Sequence, residues 1–145
     1  MKILKRDKNQ RQSKFSRLKI SANLLNKHFT KLENGASNEA YILKGYEDVV
    51  FMKYQEKGED YITILDRIDY ETIKDSLWEG FNEYVVQKEN HKIYLHRVVC
   101  RGLIAGMIVH HKDSRFNNRA SLLEPVTSKG HDRHRTYFDD LIIEA

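Results

Sequence analysis

The stretch VHHKDSRFNNRASLLEPVTSKGHDRHR, from Val109 to Arg135, decides the predicted fold of the C-terminal third of the chain. Its first residue continues the run Met107-Ile108-Val109, which is apolar and rich in β-branched residues and so predicts a strand. Asp113 to Asn118 has the composition of a turn. Leu122 to Thr127 predicts a return strand, and Pro125 restricts it to the edge of a sheet because proline cannot donate to a strand ladder.

Histidines occur in this stretch as two groups. His110 and His111 are adjacent at the end of the first predicted strand. His131 and His134 lie on a predicted helix whose N-cap is Thr127 or Ser128. If the hairpin folds onto this helix, His110 or His111 faces His131. Borderline-soft divalent ions accept imidazole ligands, so the spacing predicts a metal site.

The order of these residues resembles the HNH nuclease motif, a ββα-metal finger, in the variant found in small homing-endonuclease-like enzymes of phages and mobile elements. Two further segments match it, Asn117-Asn118-Arg119 and Leu123-Glu124-x-Val126-Thr127. Upstream, Ile93 to Val99 resembles the family's Leu-His-Arg helix start. The resemblance covers the last third of the chain well and Tyr61 to Val99 only loosely.

The resemblance implies a role for each matched histidine. His110 corresponds to a metal ligand, His111 to the general base, and His131 to the second ligand, with His134 a further candidate offset by one position. The ion implied is divalent: Mg²⁺, Mn²⁺ or Zn²⁺. At neutral pH, histidine is among the few side chains that can accept a proton from water.

One position departs from the family pattern. Where the family has the asparagine that gives the motif its middle letter, this chain has Leu122, which cannot form a hydrogen bond across the loop. Either Asn117 or Asn118 takes over that task, or the site is weakened. Asn118 is the residue we include in the predicted catalytic set.

Basic residues near these positions predict contacts with a polyanion, because arginine and lysine neutralise phosphates and arginine can form two parallel hydrogen bonds to one phosphate. Residues 1–31 hold ten Lys or Arg against one acid, and residues 101–135 hold seven against three. The predicted partner is double-stranded DNA. The residues predicted to contact it are Lys14, Arg17, Arg97, Arg119, Arg133 and Arg135.

Composition favours one compact domain, or a small domain with an arm. The chain has 145 residues, 40% of them hydrophobic, and a single cysteine, Cys100, which excludes a disulfide framework and is expected to be buried. No apolar run is long enough to cross a bilayer, which predicts a cytoplasmic protein without membrane contacts. For a phage-encoded protein, this would be the cytoplasm of the host.

The predicted fold class is α+β. Residues 1–16 are predicted to form a basic, flexible arm, residues 17–100 a region with a helix, short strands and a hairpin, and residues 101–145 the HNH-like finger and an acidic tail. A helix is predicted from Ser16 to Leu32, because apolar residues recur at spacings of four and three. Further predictions are strands at 40–43, 49–54 and 61–65, helices at 69–77 and 95–103, and a hairpin pairing 83–87 with 92–95.

Two functions follow as hypotheses. The first is a metal-dependent DNA endonuclease that nicks one strand or cuts both. The resemblance implies one strand cut per finger, so cutting both strands would require a homodimer. The second is a catalytically weakened finger that binds DNA or a partner protein as a phage factor. The basic arm and the histidine pair are compatible with both.

Overall fold

The computed structural model describes residues 17–127, which form a mixed α+β fold. The predicted basic arm, the predicted C-terminal helix and the acidic tail lie outside the described residues, as do Lys14, His131, Arg133, His134 and Arg135. The strands are β1 (Phe29–Lys31), β2 (Ala40–Leu43), β3 (Val49–Glu56), β4 (Glu59–Asp66), β5 (Trp78–Phe81), β6 (Tyr84–Gln87), β7 (Ile108–His111) and β8 (Leu123–Val126). The helices are α1 (Ala22–His28), α2 (Arg67–Ile73) and α3 (Leu95–Val99).

A four-stranded antiparallel sheet in the order β1-β2-β3-β4 forms the centre of the fold. Its longest pairing joins β3 to β4 in the register Val49↔Asp66 to Glu56↔Glu59. Lys57 and Gly58 connect these strands with φ values of 53° and 81°, the left-handed conformation that a tight two-residue hairpin turn requires. The three strands predicted between residues 40 and 65 are therefore confirmed, with β3 and β4 slightly longer than predicted.

Both faces of this sheet are covered. Alternate residues of a strand point to opposite faces, and here Met52 belongs to one apolar cluster while Phe51 belongs to the other. The first cluster includes residues of α2 and α3 and also Val109 and Leu123 of the β7–β8 hairpin. The second includes Phe116 from the loop between β7 and β8. The C-terminal hairpin and its loop thus pack against the central sheet.

The prediction of one long N-terminal helix is wrong. The helix α1 starts after Ser21, whose Oγ accepts a hydrogen bond from the Leu24 backbone, and Phe29 already begins strand β1. Phe29 pairs with Leu43, so strand pairing overrides the helical spacing of the apolar residues. Leu18 lies outside the helix and forms an isolated bridge with Ile62.

The hairpin predicted between 83–87 and 92–95 is found only in part. Strand β6 pairs with β5 in the register Trp78↔Gln87 to Phe81↔Tyr84. Its pairing with the 92–95 segment is limited to one antiparallel bridge, between Val86 and Tyr94, beside which Gln87 N–H donates to the Ile93 carbonyl at 3.0 Å. The turn uses Asn82 and Glu83 at φ 50° and 69°. Glutamate is an uncommon residue in this conformation, so the sequence gives little signal for the turn.

Both remaining helices are shorter than predicted. Helix α2 spans Arg67–Ile73 after Asp66, and helix α3 ends at Val99. Cys100 follows α3 as a buried free thiol, which confirms the prediction of its burial. Among residues 17–127, no helix is long and apolar enough to cross a membrane.

Candidate functional site

The predicted strand–loop–strand unit is present as the β7–β8 hairpin. The strands pair antiparallel with His110 opposite Glu124 and His111 opposite Leu123. Pro125 lies opposite Val109, in a sheet for which residues 17–127 supply two strands. The adjacent histidines are the last residues of β7, and both are buried. The sequence therefore located both strands to within a residue or two.

The loop between the strands is polar but buried. Asp113, Asn117 and Asn118 are each no more than 2% exposed. Asn117 Nδ2 donates to Asp113 Oδ2 at 2.9 Å, and Arg119 Nε donates to Asn117 Oδ1 at 3.1 Å. Burial of a polar group costs stability unless the group is hydrogen-bonded. These contacts hold the loop in one conformation beside the histidine pair.

His111 is the centre of the site. Its Nε2 atom lies 3.0 Å from Oδ1 of Asn118. Burial lowers the pKa of His111 to about 4. The hydrogen bond between His111 and Asn118 acts to raise this pKa, whereas the positive charge of Arg115 lowers it further. The ring is therefore neutral at pH 7, which is the form that can accept a proton.

His96 packs against His111, with ring centroids 5.1 Å apart. It also contacts Tyr84 at 5.0 Å and Tyr94 at 5.3 Å between centroids. Burial, followed by the charges of His111, Arg97 and Arg115, lowers the pKa of His96 to about 3. The signal for its location was the similarity of the Leu95-His96-Arg97 helix start to that of the HNH family.

Strand β4 holds the loop from the other side. Asn118 Nδ2 donates to Thr63 Oγ1 at 2.8 Å, and the Asn118 backbone N–H donates to the Ile64 carbonyl at 2.7 Å. Ala120 N–H donates to Asp66 Oδ2 at 2.8 Å. Sequence reasoning missed Thr63 and Asp66, because nothing in a β-strand sequence indicates which distant loop packs against it.

Leu122, which replaces the motif asparagine, belongs to a 3₁₀ turn spanning Ala120–Leu122. Its backbone carbonyl accepts a hydrogen bond from Lys112 N–H at 2.9 Å. The hydrogen bond of the His111 ring goes to the side-chain oxygen of Asn118 instead. Of the two asparagines that the sequence left open, Asn118 contacts the histidine, whereas Asn117 contacts Asp113.

His110 and Glu124 are opposite each other in register, so their side chains share one face of the hairpin. Imidazole nitrogen and carboxylate oxygen are both donors that divalent ions accept. Among residues 17–127, no group of three or more His, Cys, Asp or Glu side chains is arranged to hold a metal ion. The described residues therefore fit a metal only in part, and the predicted ligands His131 and His134 lie outside them.

The predicted DNA-contacting cations within the described range differ in their surroundings. Arg97 is exposed, and its Nη1 donates to the Met107 carbonyl at 3.2 Å. Arg119 is buried and bonded to Asn117. Arg17 lies 3.7 Å from Glu56 and 3.4 Å from Glu83, with its guanidinium over the ring of Tyr61.

Sequence reasoning missed a further arginine beside the histidines. Arg115 lies 4.6 Å above the Tyr84 ring, and its Nη1 donates to Glu83 Oε2 at 2.9 Å. Its side chain is 37% exposed, so part of the guanidinium faces solvent. No sequence pattern indicated this role of Arg115, because its stacking on Tyr84 depends on the β5–β6 turn, which was not predicted.

No protein-family model, no curated protein and no solved structure matches this chain. The site is therefore interpreted from its own geometry and from the sequence resemblance alone.

Proposed function

We propose that this protein is an HNH-type, metal-dependent endonuclease that hydrolyses phosphodiester bonds of double-stranded DNA. The observation that supports this most is the neutral His111 at the end of β7, with its Nε2 atom 3.0 Å from the Asn118 amide oxygen. An amide oxygen can only accept, so Nε2 carries the ring proton in this contact. The opposite nitrogen, Nδ1, is then the atom able to accept a proton.

In this proposal His111 is the general base. Its Nδ1 removes a proton from the attacking water, and the lowered pKa keeps the ring in its neutral form at pH 7. Asn118 holds the ring from the Nε2 side, and His96 packs against its face. A base held in one orientation reacts faster than a mobile one, because the reacting atoms are already aligned.

His110 would hold the divalent ion, together with His131 and His134. When bound, Mg²⁺, Mn²⁺ or Zn²⁺ would neutralise charge on the phosphate and on the leaving oxygen. Glu124, opposite His110, supplies a carboxylate on the same face of the hairpin. Such a carboxylate can orient a ligating imidazole by accepting its second N–H.

The DNA backbone would be bound by cations around this site. Lys14, Arg133 and Arg135 remain candidates from the sequence, and Arg97 is an exposed candidate on α3. We add Arg115, which is partly exposed beside His111. Arg119 is less suited to this task because it is buried, and Arg17 because its guanidinium lies against two carboxylates, those of Glu56 and Glu83.

A second candidate is a finger without catalytic activity that binds DNA or a partner protein. Two observations favour it: His111 is only 6% exposed, and Leu122 replaces the motif asparagine. A base that water cannot reach does not catalyse hydrolysis. This candidate predicts salt-sensitive DNA binding without turnover.

Incubation of supercoiled plasmid with the full-length protein and Mg²⁺, Mn²⁺ or Zn²⁺ distinguishes the two candidates. The nuclease proposal predicts nicked or linear product that His111→Ala abolishes. His91→Ala is the matched control, because His91 is exposed and pairs with Glu79. Linear product that depends on the square of protein concentration would indicate a homodimer. DNA binding with no product under any of these ions would contradict the nuclease proposal.

A further inference from the structure

The hydroxyl group of Thr63 joins the central sheet to the candidate site. Thr63 lies on β4 and is completely buried. Its Oγ1 donates to the Phe116 carbonyl at 2.9 Å and accepts from Asn118 Nδ2 at 2.8 Å. The two contacts reach 53 and 55 residues along the chain, so they depend on the tertiary fold.

A hydroxyl has one proton to donate. Since Thr63 donates it to Phe116, the oxygen of Thr63 faces Asn118 as an acceptor, and Asn118 must present its NH₂ group there. The amide is planar, so its oxygen then points the other way, towards His111 Nε2. If the amide were rotated by half a turn, its NH₂ would face Nε2, and the proton of the neutral ring would lie on Nδ1.

The backbone around Thr63 prevents the loop from sliding along the strand. Ile64 N–H donates to the Phe116 carbonyl at 2.8 Å, and Asn118 N–H donates to the Ile64 carbonyl at 2.7 Å. These bonds fix Phe116 and Asn118 on either side of Thr63. The hydroxyl therefore meets the same carbonyl and the same amide in every folded molecule.

We propose that Thr63 is a positioning residue that sets the amide orientation of Asn118 and, through it, keeps the ring proton of His111 on Nε2 and Nδ1 available. The consequence for catalysis rests on the proposed nuclease function, whereas the hydrogen-bond relay does not. A strand of the central sheet would thus determine which nitrogen of His111 can act as a base. The reaction itself involves no atom of Thr63.

The relay can be tested by ¹⁵N NMR of the histidine rings in the full-length, metal-free protein. The wild type is expected to show His111 as the neutral Nε2–H tautomer. Thr63→Val removes the hydroxyl at nearly constant shape and is expected to shift His111 towards a mixture of tautomers. Thr63→Ser restores the hydroxyl and should restore the wild-type signals. If Thr63→Val does not fold, Thr63→Cys replaces it, because a thiol is a weak donor and acceptor.

Kinetics test the consequence separately. We expect Thr63→Val to lower kcat for plasmid cleavage at least about tenfold with little change in KM, since a general base contributes about 10²–10⁴-fold. Thr63→Ser should retain activity, and Thr30→Val on the exposed part of β1 is the matched control. A wild-type His111 protonated on Nδ1, or unchanged tautomer and kcat in the valine variant, would overturn the relay. A wild type with the expected tautomer but no cleavage would reject the nuclease proposal and leave the relay standing.

Discussion

The amide oxygen of Asn118 lies 3.0 Å from Nε2 of His111, although the two residues are seven positions apart and joined by a loop. The bond closes the loop between β7 and β8 onto the last residue of β7. It uses one ring nitrogen of a buried histidine, Nε2, and does not involve Nδ1. Several expectations depend on this pair and its surroundings.

Asn118→Ala is expected to lower the cleavage rate on the order of 10²-fold, because a base displaced by about 1 Å loses its alignment with the substrate. Asn117→Ala should reduce the rate less, since Asn117 bonds to Asp113 rather than to His111. Rates of plasmid nicking at saturating DNA would compare the two variants. Equal losses in both would assign the effect to the loop as a whole.

Leu122→Asn restores the asparagine of the HNH motif. We expect no large gain of cleavage, because Asn118 already occupies Nε2 of His111. Parallel plasmid assays of the wild type and this variant would measure the effect. An increase of more than about tenfold, corresponding to about 1.4 kcal/mol in activation free energy, would instead show that the natural site is impaired by the leucine.

His96 should make the fold sensitive to acid. Its pKa is lowered from 6.5 to about 3 by burial, so below pH 6.5 the unfolded chain binds a proton that the folded chain does not. The free energy of unfolding is therefore unaffected by this group above pH 6.5, and it decreases as the pH falls from 6.5 towards 3. The slope is up to about 1.4 kcal/mol per pH unit for one such site.

His96→Phe keeps an aromatic ring beside Tyr84 and removes this titration. Urea unfolding at several pH values should show a shallower loss of stability below pH 6.5 than in the wild type. Tyr84→Phe, which retains His96, is the control and should keep the wild-type slope. Parallel curves for the wild type and His96→Phe would exclude His96 as a source of acid sensitivity.

Arg17 was predicted to contact DNA, but its ion pairs indicate a structural role. Its guanidinium neutralises the buried Glu56 and the neighbouring Glu83. Arg17→Ala should lower the free energy of unfolding by about 1–3 kcal/mol, because it leaves a buried carboxylate without its partner. The dependence of DNA affinity on salt should stay unchanged, whereas Lys14→Ala should reduce that slope by about one.

Salt titrations of DNA binding and urea unfolding of both variants would separate these roles. If Arg17→Ala reduced the dependence of DNA affinity on salt and left the free energy of unfolding unchanged, Arg17 would be a DNA contact and not a structural residue.

Gly80 allows β5 to approach β3 closely. A Cβ atom at this position would lie 2.6 Å from both Cβ and Oε1 of Glu56. Gly80→Ala should therefore destabilise the fold by about 1–3 kcal/mol through overpacking. Chemical denaturation would measure the change. An unaltered midpoint would mean that β5 can shift away from Glu56 at little cost.

Local patterns in the sequence were sufficient for much of the fold. The strands predicted at 49–54 and 61–65 correspond to β3 and β4, and the His110-His111 pair lies at the end of a strand, as the pattern indicated. The N-terminal helix was overestimated because helical spacing over Leu25 and Phe29 is equally compatible with a short helix followed by a strand. Only the pairing of Phe29 with Leu43 distinguishes them.

The candidate site was predictable in part. The family resemblance indicated His111 and an asparagine beside it, but left Asn117 and Asn118 as alternatives. Thr63 and Arg115 reach the site through contacts between segments distant in the chain, and such contacts have no local pattern, whereas His96 lies in a helix start that resembles the family's. The turn at Asn82 and Glu83, which brings Tyr84 beneath Arg115, was missed because glutamate seldom adopts a positive φ.

Strand β4 is the last strand of the central sheet, and an uncovered last strand invites intermolecular pairing. Here Leu18 and Phe116 accept the outward backbone hydrogens of Ile62 and Ile64. Displacement of the loop would expose a β-branched run that readily templates aggregation. Variants that loosen the loop should therefore accumulate in inclusion bodies. The backbone hydrogen bonds that order the site also protect the edge of β4 from pairing with a strand of another chain.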